Sequence, residues 1–141
     1  MYGVSDGASQ VFDMLVDYEG NYLLGGHTTG GEGVVNWDYL AIKVDRNTRE
    51  QVWRRTYGQP RGFDPRWIHD EMYSVGLDGE GNYILLGGSG DEYSYSEEGT
   101  GEWAGWRSDT WGSFLVIVSS AGDTLGQVHS SSGYTALYEA V

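Results

Sequence analysis

The feature that most constrains the fold of this chain is an internal repeat. The run Asp-Tyr-Glu-Gly-Asn-Tyr at residues 17–22 returns as Asp-Gly-Glu-Gly-Asn-Tyr at residues 78–83, and in each copy an apolar run and a Gly-Gly pair follow. The full match joins residues 11–26 to residues 72–88, with an offset of 61 that becomes 62 after one extra apolar residue in the second copy. A repeat of this size indicates one supersecondary unit used at least twice.

Each unit contains four short segments with the character of β-strands. The first two flank the Asp-to-Asn run, where glycine and asparagine tolerate positive φ and therefore close a hairpin. The third covers residues 38–45 in the first copy and residues 113–120 in the second, and the fourth covers residues 50–57 and 124–129. Apolar residues alternate with others in the third segment, and no window shows a sustained apolar period of 3.6 residues, so the sequence predicts an all-β fold.

Composition supports this prediction and excludes several classes of protein. The chain has 141 residues, with 23 glycines, 11 tyrosines and 6 tryptophans, and this aromatic content is atypical of disordered chains. A net charge of −13 argues against general nucleic-acid binding, which needs clustered lysine and arginine. Because there is no cysteine, disulfides and thiolate chemistry are absent. No apolar run approaches the ~20 residues of a membrane-spanning helix.

The motif Asp-x-x-Gly-Asn-Tyr-[Leu/Ile]-Leu, the later Asp-Tyr-Leu-Ala-Ile-Lys-Val-Asp and the Val-Trp-x-x-Thr-Tyr-Gly that follows resemble the β-propeller repeats of large secreted and surface bacterial proteins. The resemblance implies tandem four-stranded antiparallel blades and an extracellular setting, and it specifies no activity. It predicts a first blade at residues 1–67, a second at residues 68–132 with a long insertion at residues 89–109, and the first strand of a third at residues 133–141. The second copy departs from the motif, because His129 lies near the place that Trp53 has in the first copy. We expect Trp53 to pack between blades.

Two blades and one strand are too few for a closed ring, because propellers contain about 4–8 blades. The chain is therefore expected to be part of a larger propeller, or to be completed by oligomerisation through a head-to-tail contact. Basic residues are concentrated in residues 43–66 and acidic residues in residues 91–109. These patches either attract each other across an interface between blades or form two solvated loops, which we favour.

The insertion provides the candidate binding residues. It replaces a shorter segment, residues 27–37, at the same place in the repeat. Flat aromatic rings beside hydrogen-bonding groups suit a sugar or a peptide, although the same rings can instead fold back and cap the core of the blade. The candidate ligand-binding residues are Tyr93, Tyr95, Trp103, Trp106 and Arg107.

Other motifs give no support to catalysis, to a metal site or to a cofactor. The histidines at positions 27, 69 and 129 occupy unrelated places in the repeat and form no zinc-binding pattern. The Asp-to-Asn turns are too short for an EF-hand calcium loop, and neither a nucleophile elbow nor a phosphate-binding loop is present. We therefore predict no catalytic residue, no metal and no cofactor.

The sequence predicts a non-enzymatic binding or scaffold module that contacts a glycan or protein ligand through its inter-strand loops. One alternative is a self-assembling structural protein that forms a ring or fibre through its blade edges. The other is an inert fragment of a larger propeller enzyme whose site lies at the axial channel. A partner would accordingly be protein or carbohydrate, or a further copy of the chain.

Overall fold

The computed structural model describes residues 8–29, 37–58, 68–91 and 112–129. Within these ranges the chain forms eight β-strands and no helix, which confirms the all-β prediction. There is accordingly no described helix with the length and apolarity to cross a bilayer. The strands are β1 (Ser9–Val16), β2 (Tyr22–Thr28), β3 (Asp38–Val44), β4 (Gln51–Tyr57), β5 (Ile68–Leu77), β6 (Tyr83–Asp91), β7 (Gly112–Val118) and β8 (Thr124–His129).

The strands form two four-stranded antiparallel sheets. The first sheet has the order β1-β2-β3-β4 and the second sheet has the order β5-β6-β7-β8, so every strand pairs with its neighbour in sequence. The predicted four-stranded units are therefore present twice. Most of the predicted insertion and the predicted third-copy strand, residues 133–141, lie outside the described residues.

The turns at residues 17–21 and 78–82 have the same structure, as the repeat predicts. In the first, the backbone N–H of Asp17 donates to the carbonyl of Asn21 at 2.9 Å, and the Asp17 carboxylate accepts from the Asn21 backbone N–H at 2.8 Å. The corresponding distances in the second turn are 3.0 and 2.9 Å. The glycine before each asparagine has a φ of 86° or 87°, a left-handed conformation that favours glycine.

β1 and β5 each carry a β-bulge at the same place in the repeat, at Phe12 and Tyr73. Gly26 and Gly87 lie opposite these bulges, where an added Cβ would lie 1.8 or 1.9 Å from a backbone oxygen of the bulged strand. No side chain can be accommodated at that distance. The bulges therefore require glycine at Gly26, the second of the Gly25-Gly26 pair, and at Gly87, the first of the Gly87-Gly88 pair.

Strand pairing corrects the sequence alignment in three places. Gly26 is equivalent to Gly87, so the offset remains 61 and the predicted extra residue is wrong. In the third strands the offset is 74, one fewer than predicted. In the fourth strands Gly126, and not His129, takes the place of Trp53. Similar apolar residues at successive positions make a one-residue slip invisible in sequence, whereas pairing determines the face on which each side chain lies.

The two sheets pack against each other through faces that are not equivalent. Leu85 of the second sheet lies in the shared core, whereas its equivalent in the first sheet, Leu24, packs with Ile42 on the opposite face. We call the side of the first sheet that faces the shared core its front. The front of the second sheet is the side that carries the equivalent positions of the repeat, and the other side of each sheet is its back. The front of the first sheet thus lies on the back of the second. The shared core consists of Leu23, Tyr39, Ala41, Trp53 and Tyr57 from the first sheet and Met72, Val75, Tyr83, Leu85, Phe114, Val116 and Val118 from the second.

Polar groups on the front of the first sheet fix this packing. Tyr39 donates its hydroxyl to the carbonyl of Phe114 at 2.8 Å, and the Trp53 indole donates to the carbonyl of Ser120 at 3.0 Å. The predicted packing role of Trp53 is confirmed as packing between the two sheets. The pairing places Ser113 and Gly126 where the first sheet has Tyr39 and Trp53, so the front of the second sheet lacks these two donors.

Candidate functional site

We call the contact between the front of the first sheet and the back of the second the seam, and it has two ends. The turn end carries the short turns at residues 17–21, 45–50, 78–82 and 119–123. The loop end is the opposite one, where β2 and β6 end and β3 and β7 begin.

The predicted ligand-binding residues all belong to the connection between β6 and β7, which is attached at the loop end and lies outside the described residues. They stay a prediction. They are Tyr93, Tyr95, Trp103, Trp106 and Arg107.

A cluster of polar and aromatic side chains lies at the loop end, beside the attachment points of that connection. β5 contributes three side chains from alternate positions, those of His69, Glu71 and Tyr73. β2 contributes His27. Alternate residues of a strand point to the same face, so the three β5 residues lie together, although Tyr73 sits in the bulge. We call these four residues, with Phe12 and Trp37, the loop-end cluster.

Glu71 is the charged centre of the loop-end cluster. Its side chain is 12 % exposed, its carboxylate accepts a hydrogen bond from the Tyr73 hydroxyl, and it lies 3.6 Å from His69 Nδ1. Burial alone would raise the pKa of Glu71, but the nearby His69 ring and the hydrogen bond from the Tyr73 hydroxyl lower it below its ordinary value. Glu71 is therefore ionised at neutral pH.

His27 lies between aromatic rings and is only 3 % exposed. Its ring centroid lies 4.8 Å from that of Phe12 and 4.5 Å from that of Trp37. Its Nδ1 atom is buried and has no hydrogen-bond partner. Burial lowers the pKa of His27 against the smaller opposing effect of Glu71, so the imidazole is neutral at neutral pH.

Buried hydrogen bonds tie the loop-end strands together behind this cluster. The backbone N–H of Asp70 donates to the carbonyl of Trp37 at 2.8 Å, which joins the second sheet to the start of β3. Ser89 donates its hydroxyl to the Asp70 carboxylate, and His129 Nε2 lies 3.2 Å from the Ser89 carbonyl. These contacts hold the ends of β5, β6 and β8 in fixed positions relative to the cluster.

The turn end has a different electrostatic arrangement. Lys43 Nζ lies 3.0 Å from the Asp17 carboxylate and 2.7 Å from that of Glu19, and Tyr83 donates to Asp17 at 2.6 Å. Burial would raise the pKa of Asp17, but the hydrogen bonds from Tyr83 and Lys43 lower it. Burial and the bond to Asp17 raise the pKa of Tyr83 to about 12. A cavity of about 160 Å³ opens above this group, lined by Asp17, Tyr18, Glu19, Glu80, Gly81, Tyr83 and Ser120.

Sequence inspection missed the loop-end cluster because it compared the histidines by their place in the repeat. The structure shows that His27 and His69 reach one cluster from different sheets, since the front of one sheet meets the back of the other. The usable signal was the alternation His-x-Glu-x-Tyr at residues 69–73, which places three polar side chains on one side of a strand. Within the described ranges, no three acidic or histidine side chains are grouped so as to hold a metal ion.

The sequence matches no protein-family model and no curated protein. The case for its function therefore rests on its repeat, its packing and the chemistry of its two ends.

Proposed function

We propose that the chain is a non-enzymatic module of a β-propeller that binds a glycan or protein ligand through its inter-strand loops. The observation that carries this proposal is the front-to-back packing of two equivalent four-stranded sheets. Each unit in an array of repeated sheets contacts its neighbours through two different faces, as successive blades must. A sandwich of two unrelated sheets has no reason to preserve the same turn, bulge and glycine at matching positions.

The loop end is the proposed binding side of this module, because it carries a long connection. The four turn-end connections are short, and two of them close through the same aspartate-centred hydrogen bonds. The connection between β6 and β7 is much longer and holds the aromatic residues Trp103 and Trp106. Binding residues are concentrated on loops that a rigid scaffold positions, so this connection is the proposed contact segment.

Glycan and peptide arrays probed with Trp103→Ala and Trp106→Ala variants test the proposal. We expect binding by the parent chain and its loss in at least one variant, because indole rings supply most of the contact area in sites of this kind. Tyr18→Ala is the matched control, since Tyr18 is a highly exposed aromatic residue at the turn end. Equal binding by the parent and both tryptophan variants would contradict the proposal.

A second candidate function is self-association, and the packing of the sheets favours it. A front-to-back contact is heterologous, and such contacts generate rings or open fibres when they continue from one chain to the next. Sedimentation velocity over a range of protein concentration tests this candidate: we expect a mass that rises with concentration. A single folded monomer at all micromolar concentrations would contradict it.

A further inference from the structure

We propose that the loop end carries a subsite for a cationic side chain of a protein partner, formed by Glu71 with the rings of Phe12 and Tyr73. The proposal rests on the binding function above and narrows its ligand to a protein segment that presents lysine or arginine.

The charge of Glu71 is the first argument for this subsite. The carboxylate is mostly buried, and among the described residues it contacts the Tyr73 hydroxyl and lies 3.6 Å from His69 Nδ1. In the described parts of the chain, no lysine or arginine forms an ion pair with it. A partly buried carboxylate gains from an adjacent positive charge. The buried carboxylate of Asp17 at the turn end shows the contrast, since Lys43 lies 3.0 Å from it.

The aromatic rings are the second argument. Phe12 is 50 % exposed although it belongs to the strand that lines the seam. Its ring meets that of Tyr73 edge to face, with centroids 5.8 Å apart. The two residues occupy the bulges at equivalent positions of the two repeats, and bulges redirect side chains beside binding sites. Phe12 contacts Tyr73, and Tyr73 bonds Glu71, so a cation between them would meet both an aromatic π face and a negative charge.

The remaining groups favour a cation over a sugar. A sugar needs several hydrogen-bond donors and acceptors arranged around an aromatic ring. The loop-end cluster offers a carboxylate that is already bonded to Tyr73, and the free Nδ1 of His27 lies on a residue that is 3 % exposed. With a net charge of −13, the protein also attracts cations at longer range.

The test is an NMR titration of the full chain with Nα-acetyl-lysine methylamide, with its Nε-acetylated neutral form and with methyl glucoside. We expect the lysine probe alone to shift the signals of residues 12, 71 and 73. Glu71→Gln should weaken this binding about tenfold, because a charge-assisted bond is lost. Phe12→Leu, at a half-exposed position, should weaken it about two- to fivefold. Glu80→Gln removes a carboxylate at the turn end and is the matched control, with no expected effect.

Three results would overturn the subsite: equal shifts with the neutral lysine probe, binding that is unaffected by both Glu71→Gln and Phe12→Leu, or shifts caused by methyl glucoside alone. The same titration with Trp103→Ala separates the subsite from the proposed function. Retained lysine binding in that variant supports the subsite whether or not array binding depends on Trp103. Array binding that is lost in Trp103→Ala but unchanged in Glu71→Gln would uphold the loop and count against the subsite.

Discussion

The two ends of the inter-sheet seam each contain a buried carboxylate, and the two carboxylates differ in their partners. At the turn end, Asp17 has Lys43 and the Tyr83 hydroxyl as partners, so its negative charge is compensated. At the loop end, Glu71 has a hydroxyl and a histidine nitrogen, and the adjacent His27 leaves one ring nitrogen unbonded. Compensated buried charge is characteristic of a structural role, whereas incompletely satisfied polar groups are concentrated at functional sites.

The same contrast appears between equivalent residues of the two repeats. Asp17 and Asp78 form the same turn, but only the Asp17 carboxylate has two further partners. One is Tyr83 of the neighbouring sheet, and the other is Lys43 of its own sheet, whose equivalent in the second sheet is Ile117. Glu71 occupies the place that Gln10 has in the first sheet. The repeat thus supplies equivalent positions, and the front-to-back packing gives them different environments.

The largest expected effect is at the compensated end. Lys43→Met should reduce the free energy of unfolding by about 3 kcal/mol, because it leaves the Asp17 carboxylate buried without its cation. Urea denaturation measures this change, and Arg46→Met, which removes an exposed cation at the same end, is the control. Similar midpoints for the two variants would show that the turn end does not depend on its ion pair.

The next prediction compares the equivalent aspartates. Asp17→Asn should cost about 2 kcal/mol, because it weakens charge-assisted bonds to Lys43 and Tyr83 in a buried site. Asp78→Asn should change stability much less, since the Asp78 carboxylate bonds only within its own turn. Thermal denaturation of both variants measures the difference. Equal losses would mean that the bonds to Lys43 and Tyr83 do not distinguish the two aspartates.

A third prediction concerns the pH dependence of the loop end. Burial keeps the folded-state pKa of His27 below its ordinary 6.5, so the unfolded chain takes up this proton first as the pH falls. Stability should therefore decrease below about pH 6.5, with a slope of at most about 1.4 kcal/mol per pH unit for one proton. The low pKa values of Asp17 and Glu71 keep both carboxylates charged in this range.

Urea denaturation between pH 7 and pH 5 checks the role of His27. His27→Leu should flatten the dependence, because it removes the buried imidazole. An unchanged slope in His27→Leu would assign the dependence to other groups.

The smallest effect tests whether the two turns are equivalent apart from their surroundings. Gly20→Ala and Gly81→Ala should each cost roughly 1 kcal/mol, because both glycines have a φ near +86° that a Cβ disfavours. Equal changes in the thermal midpoint would attribute the difference between Asp17 and Asp78 to Lys43 and Tyr83 and not to the turns. A larger loss for Gly81→Ala would reflect the Tyr18 ring, which lies 3.3 Å from the position of an added Cβ, whereas nothing lies within 4 Å at Gly20. A larger loss for Gly20→Ala would indicate that the turns themselves differ.

The sequence was sufficient for the strands and turns, because hairpin glycines and alternating apolar residues act locally. It was insufficient for register: the Gly-Gly pairs and the apolar runs of β3 and β7 align equally well one residue apart, and only strand pairing showed that Gly126 takes the place of Trp53. The loop-end cluster could not be predicted from the sequence, because His27 and Glu71 lie on different sheets and come together only when the two sheets pack. The role of Trp103 and Trp106 stays a prediction.

The front-to-back packing of two equivalent sheets is the central claim, and a nuclear Overhauser spectrum of the folded chain tests it most directly. The structure predicts cross-peaks between the rings of Tyr39 and Phe114, whose centroids are 5.0 Å apart, and between those of Trp53 and Tyr83, at 6.0 Å. Cross-peaks from Tyr39 or Trp53 to Leu115 or Ile117, on the front of the second sheet, would contradict it.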